Sequence, residues 1–118
     1  MTLDQIRNLC LSFPNATEGF PFDATTLVFK IGGKMFLLVD TENPSYITLR
    51  CSKDAQAELV ERNLWISPGF HMNKSHWITL EVSSEWADQM TVRLLIKDSY
   101  ALVHAGLPKK VKEALENR

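Results

Sequence analysis

The sequence predicts a two-layer α+β domain, a mainly antiparallel five-stranded sheet with helices on one face, in the order α-β-β-β-α-β-β-α. Three observations carry this. Gly32-Gly33 separates two apolar runs, Thr25 to Ile31 and Lys34 to Asp40, and two adjacent glycines between such runs signal a tight β-hairpin. Tyr46 to Cys51 and His76 to Val82 alternate with the period of two expected of strands. Apolar residues recur at helical spacing near both ends, at Leu3, Ile6, Leu9 and Phe13 and again at Val92, Leu95, Ile96, Ser99, Leu102 and Val103. Every sequential strand connection except the middle one is hairpin-like, which makes antiparallel pairing the expectation.

The first helix, Thr2 to Phe13, has Cys10 beside its stripe, a capping box of Thr2 with Gln5, and Pro14 as its stop. Asn15 to Ala24 reads as a loop punctuated by Gly19 and Pro21. Its Phe20 and Phe22 predict that it folds back as a lid on apolar surface or as the roof of a ligand pocket. Across the two-residue turn Ile31 should oppose Lys34 and Phe29 should oppose Phe36. One face then carries Leu27, Phe29, Ile31, Phe36 and Leu38, and the other Val28, Lys30, Met35, Leu37 and Val39. Both faces are mostly apolar, so this hairpin belongs in the middle of the sheet.

Asn43-Pro44 makes the next turn. In Tyr46 to Cys51, Ile47, Leu49 and Cys51 point inward and Tyr46, Thr48 and Arg50 outward. Ser52 caps a helix from Lys53 to about Asn63, with Ala55, Leu59 and Val60 inward. Leu64 to Phe70 is a short irregular strand. In the strand from His76, Ile78, Leu80 and Val82 point inward and Trp77, Thr79 and Glu81 outward. The long helix from Asp88 to His104 is stopped by Gly106, and Pro108 opens a short terminal helix through Leu115. The outer sheet face should present Tyr46, Arg50, Trp77, Lys30, Met35 and Leu37. That is too apolar to stay wet, and three covers are open: the Phe20–Phe22 loop or the chain terminus, a homodimer contact, or stacked nucleic-acid bases.

At 118 residues the chain is one domain, 1–118, with 45% hydrophobic and 23% charged residues, the balance of a soluble globular protein. Its longest apolar run is Met35 to Val39, which excludes a membrane span, and the amino terminus lacks a basic-then-apolar leader. Two cysteines, Cys10 and Cys51, are too few for a disulfide framework, so a reducing cytoplasmic setting is expected. A net charge of −1 argues against indiscriminate polyanion binding, yet the charges are unevenly spread. Lys30 and Lys34 lie in an acid-free stretch from Ala24 to Val39, and Lys109, Lys110 and Lys112 cluster near the end.

The stretch Ser67 to Trp77 holds His71, Asn73, Lys74, His76 and Trp77, and no acidic residue falls between Arg62 and Leu80. Pro68-Gly69 is a turn or strand-entry signal, and Met72 to Ser75 reads as a four-residue hairpin loop. In that register His71 and His76 close the hairpin as a cross-strand pair. Such a pair can serve as ordinary polar hairpin residues, contact an anion, or hold two corners of a metal site; no third metal ligand is apparent, and no metal or cofactor is assigned.

Several segments together resemble the MmcQ/YjbR family: Pro21-Phe22, Gly33–Phe36, Leu49–Cys51, the run Pro68–Trp77, and Ser99-Tyr100. The match spans nearly the whole chain in order, and the His-Met-Asn-Lys-x-His-Trp segment is its most specific part. Arg50 stands where lysine is frequent in the family and Phe70 where tyrosine is common; the first keeps the charge and the second removes a hydroxyl. The resemblance implies a fold similar to the CyaY-like and secretion-chaperone-like group. It also implies a double-wing DNA-binding role, with Lys34, Arg50, His71, Asn73, Lys74, His76 and Trp77 as the surface.

Three functions compete. The first is a non-enzymatic module binding double-stranded DNA, with Lys34, Arg50 and Lys74 on phosphates, Asn73 on a base edge or the backbone, and the His71–His76 hairpin as a wing. The second is a binder of an anionic small molecule or an acidic protein partner through the same residues, acting as monomer or homodimer. The third is an enzyme using Cys51 with His71 or His76 as a thiolate–imidazole pair, or Glu18 as an acid; inward strand cysteines are far more often core.

Overall fold

The structure, a computed structural model, describes residues 1–69, 72 and 76–117. Its elements run α1 (Leu3–Ser12), β1 (Thr17–Gly19), β2 (Thr26–Ile31), β3 (Lys34–Asp40), β4 (Tyr46–Arg50), α2 (Lys53–Arg62), β5 (Ile66–Pro68), β6 (Trp77–Glu81), α3 (Gln89–Ala105) and α4 (Lys109–Glu116). The strands form one antiparallel sheet in the order β1-β2-β3-β4-β6-β5. The β2–β3 hairpin is therefore interior, as its two apolar faces require.

Local chemistry sets the helix ends. Thr2 and Gln5 close a reciprocal capping box at 2.9 and 3.2 Å, and α1 buries Ile6 and Cys10. The Ser52 hydroxyl accepts the Ala55 N–H at the start of α2, and the Asp88 carboxylate accepts the Thr91 N–H at the start of α3. Gly106 caps α3 at its other end. The chain then turns through buried Leu107 into α4, which docks on the Gly32-Gly33 turn. Gly32 has φ +58°, and a Cβ there would stand 2.6 Å from Leu107 Cδ1, so both the turn and the docking demand glycine.

Two features differ from the sequence expectation. The loop from Asn15 to Ala24 contains a sixth strand, β1, which pairs Glu18 with Phe29 at the sheet edge. The β2–β3 ladder is also bulged. Ile31 opposes Lys34 as expected, but Phe29 opposes Leu37 rather than Phe36, and Phe36 is the extra residue. Leu37 and Val39 thus join Leu27, Phe29, Ile31 and Phe36 in the core, while Leu38 turns to the outer face with Val28. The core lies between the inner sheet face and α1 and α3, with Ile47, Leu49, Ile78, Leu80, Val92 and Ile96 at its centre. The helix α2 buries no residue fully; Leu59 and Val60 only lean on the core.

Candidate functional site

The bulge prepares the first candidate site. β3 pairs with β4 only from Leu37 and Leu49 onward. Below that row the strands part, and the Ser99 hydroxyl from α3 fills the gap. It donates to the Phe36 carbonyl at 2.5 Å and accepts the Arg50 N–H at 2.9 Å. Beside this bridge a cleft of about 360 Å³ opens, lined by Lys34, Met35, Arg50 and Trp77 and by the end of α3. Arg50 and Trp77 are directly opposed across β4 and β6, and the guanidinium sits 5.7 Å from the Trp77 ring centroid. The Arg50 Nε is buried and has no hydrogen-bond partner among the described residues.

Three of the seven expected residues, Lys34, Arg50 and Trp77, thus meet in one place. His76 is next to them in the chain, half-buried, and its carbonyl accepts the Cys51 N–H at 2.9 Å. His71, Asn73 and Lys74 lie outside the described residues, as does the His71–His76 pairing. Trp77 is only 6% exposed, so it braces Arg50 and is not an open platform for bases.

Most charge on the sheet is divided along the strand axis, Glu18 of β1, which opposes Phe29, being the exception. The end of the sheet at the Gly32-Gly33 turn carries Lys30, Lys34 and Arg50, with Lys110 of α4 beside the turn and Asp98 of α3 sharing a groove with Arg50. The opposite end carries Asp23, which accepts the Thr26 N–H, Asp40 at the close of β3, Glu42 in the following turn, and Glu81 at the close of β6.

The other sequence candidates take structural places. Glu18 receives a two-pronged hydrogen bond from Arg7, at 2.8 and 2.6 Å, and that bond holds its carboxyl below the usual range. Burial pushes the Cys51 thiol up to about 11 and the Cys10 thiol up to about 12. Among the described residues, no group of three or more His, Cys, Asp or Glu could hold a metal ion, and no helix is long and apolar enough to cross a membrane.

A second concavity went unread in the sequence. The helix-free sheet face holds a cavity of about 710 Å³ over Thr48 and Thr79, between Phe22 on one side and Met72 on the other. In the Phe20–Phe22 loop, Phe20 and Pro21 line a groove with Val28 and Phe22 borders this cavity, but both phenylalanines stay more than half exposed, so the loop does not seal the face as a lid would. The sequence signal was the pair of outward threonines at facing strand positions.

These features define a class of protein, a two-layer α+β domain that keeps one sheet face clear of helices and gathers its strand-borne cations at one end. The chain belongs to the YjbR family, whose model matches residues 11–102. Protein YbdF of Escherichia coli O157:H7, described as uncharacterized, is 37% identical over 107 residues, covering 88% of this chain and 85% of its own. Protein YjbR of Escherichia coli K12, also described as uncharacterized, is 24% identical over 98% of both chains. The crystal structure of Deinococcus radiodurans protein DR2400, with family-model domain DUF419, superposes with a TM-score of 0.89 at 33% identity, covering 98% of this chain and 88% of that one. A protein from Pseudomonas syringae shares the fold at a TM-score of 0.73 and 22% identity, covering 87% of this chain and 99% of its own.

Proposed function

We propose that the protein is a non-enzymatic binding module that takes a phosphate-bearing polyanion, double-stranded DNA, at its basic end. One observation carries this reading: Lys30, Lys34, Arg50 and Lys110 lie at the glycine-turn end of the sheet, while Asp23, Asp40, Glu42 and Glu81 lie at the opposite end. A molecule of net charge −1 can approach a polyanion when its charges are sorted in this way. Lys34 and Arg50 would take phosphates, the signature hairpin with Asn73 and Lys74 would act as a wing, and binding would occur in the cytoplasm, where unpaired buried thiols are at home. The raised Cys51 thiol supports a non-enzymatic role, since a thiol that holds its proton is a poor nucleophile.

A second reading, a small anionic ligand, is favoured by the dimensions of the cleft and by the Arg50 side chain in its wall, whose buried Nε has no partner among the described residues. Fluorescence anisotropy with a short labelled duplex separates the two. Binding should weaken with salt by a log–log slope of about −0.9 per phosphate neutralised. Lys34→Glu should weaken it further and flatten the slope by about 1 or more. No duplex binding at low salt, together with thermal stabilisation by pyrophosphate that Arg50→Gln abolishes, would establish the second reading instead.

A further inference from the structure

The cavity on the helix-free face has a chemistry unlike that of the basic cleft. Its floor is Thr48 and Thr79, both less than a tenth exposed, with hydroxyl oxygens 3.0 Å apart. Two hydroxyls carry two hydrogens and use one between them; the other finds no acceptor among the described residues. Phe22, Leu38 and Met72 supply apolar walls. At the rim the Asp40 Oδ1 accepts the Glu42 N–H at 2.9 Å, and among the described residues its Oδ2 has no partner. Beside it the Tyr46 hydroxyl donates to Glu81 at 3.2 Å. No lysine, arginine or histidine is among the described residues that line the cavity.

We propose that this cavity is a binding site for a small amphipathic amine, with its apolar body between Phe22, Leu38 and Met72 and its ammonium on Asp40. The volume of about 710 Å³ suits a small organic molecule. Among the described residues the rim holds the Asp40 carboxylate and no base, which favours a cation over an anion. A purely apolar guest would leave the spare threonine hydrogen on the buried floor unanswered and make no use of the Asp40 charge, and a stranded polar group counts against binding. An amine with an acceptor atom on its body answers both. The face is concave, which suits an inserted molecule better than a flat self-contact.

The test records methyl NMR spectra of Thr48, Thr79, Leu38 and Met72 during titration with methoxyphenethylamine, whose ether oxygen is the acceptor, and with the matching methoxyphenethyl alcohol and methoxyhydrocinnamate. The amine should shift all four methyl groups saturably, the alcohol more weakly, and the acid not at all. Asp40→Asn keeps the acceptor for Glu42 and should cost the amine about tenfold or more in affinity, the worth of a charge-assisted bond. Phe22→Ala changes an exposed side chain and should weaken the amine without moving the unfolding midpoint. Equal response to amine and acid, unchanged affinity in Asp40→Asn, no shift at these methyls, or a dimer in sedimentation that protects the same four groups would each overturn the site. Duplex binding at the opposite end should be unaffected by Asp40→Asn, which keeps the two sites separately testable.

Discussion

Ser99 is a polar side chain with no solvent exposure, and the gap between two central strands is closed through it. A hydroxyl both donates and accepts, so one atom can stand in for a missing ladder hydrogen bond. Ser99→Ala would strand the Phe36 carbonyl and the Arg50 N–H together. We expect a loss of about 1–3 kcal/mol, read from urea unfolding midpoints at constant slope. The sequence placed Ser99 on the buried stripe of its helix, but its task was invisible there. Helical periodicity reports that a position faces inward and says nothing of which backbone atoms wait opposite. Arg50 and Trp77 were legible as outward neighbours, whereas Trp77 becoming a buried brace depended on where the end of α3 came to rest.

Among the elements, β1 escaped sequence reading for a plain reason. Three residues ending in glycine offer no alternation to detect. The strand exists because β2 offers it an edge and because Arg7 of α1 grips Glu18. That grip gives a pH prediction. Arg7 lowers the Glu18 carboxyl, so the contribution of the pair is present above the ordinary glutamate value of 4.5 and is lost as pH falls through the lowered folded value. Wild type should therefore be more stable than Glu18→Gln at neutral pH, and the difference should vanish in acid, as measured by denaturant unfolding at a series of pH values. The pair is partly solvent-exposed, so the effect should be modest and should shrink with salt. The Gly32-Gly33 hairpin was the opposite case. Its turn was readable from two residues, and its bulge was not, because the slip at Phe36 answers to core packing and to the Ser99 bridge rather than to the turn.

For the molecule as a whole, the two buried thiols predict an alkaline limb in stability. An unfolded cysteine gives up its proton near the ordinary thiol value of 9.0, while the folded chain holds the protons until about 12 at Cys10 and about 11 at Cys51. Above the first value the folded state binds more protons than the unfolded one, so stability falls as pH rises. It is fully present below that value. The Tyr46 and Tyr100 hydroxyls, also pushed up, by Glu81 and by burial respectively, act in the same direction. Urea unfolding across the alkaline range should show the decline, and replacing both cysteines with alanine should flatten it.

From the order of residues alone came the α+β class, the caps, the glycine turn, the inward and outward sides of β4 and β6, and the family resemblance. These depend on contacts between near neighbours or on a period of two or 3.6, and both are written locally. Only the assembled fold decided that Phe36 is extra in its ladder, that β1 is a strand, that charge divides along the strands, and that Thr48 and Thr79 floor a cavity beneath Phe22. Each of these joins segments far apart in the chain, and no local pattern encodes which distant surface a side chain will meet.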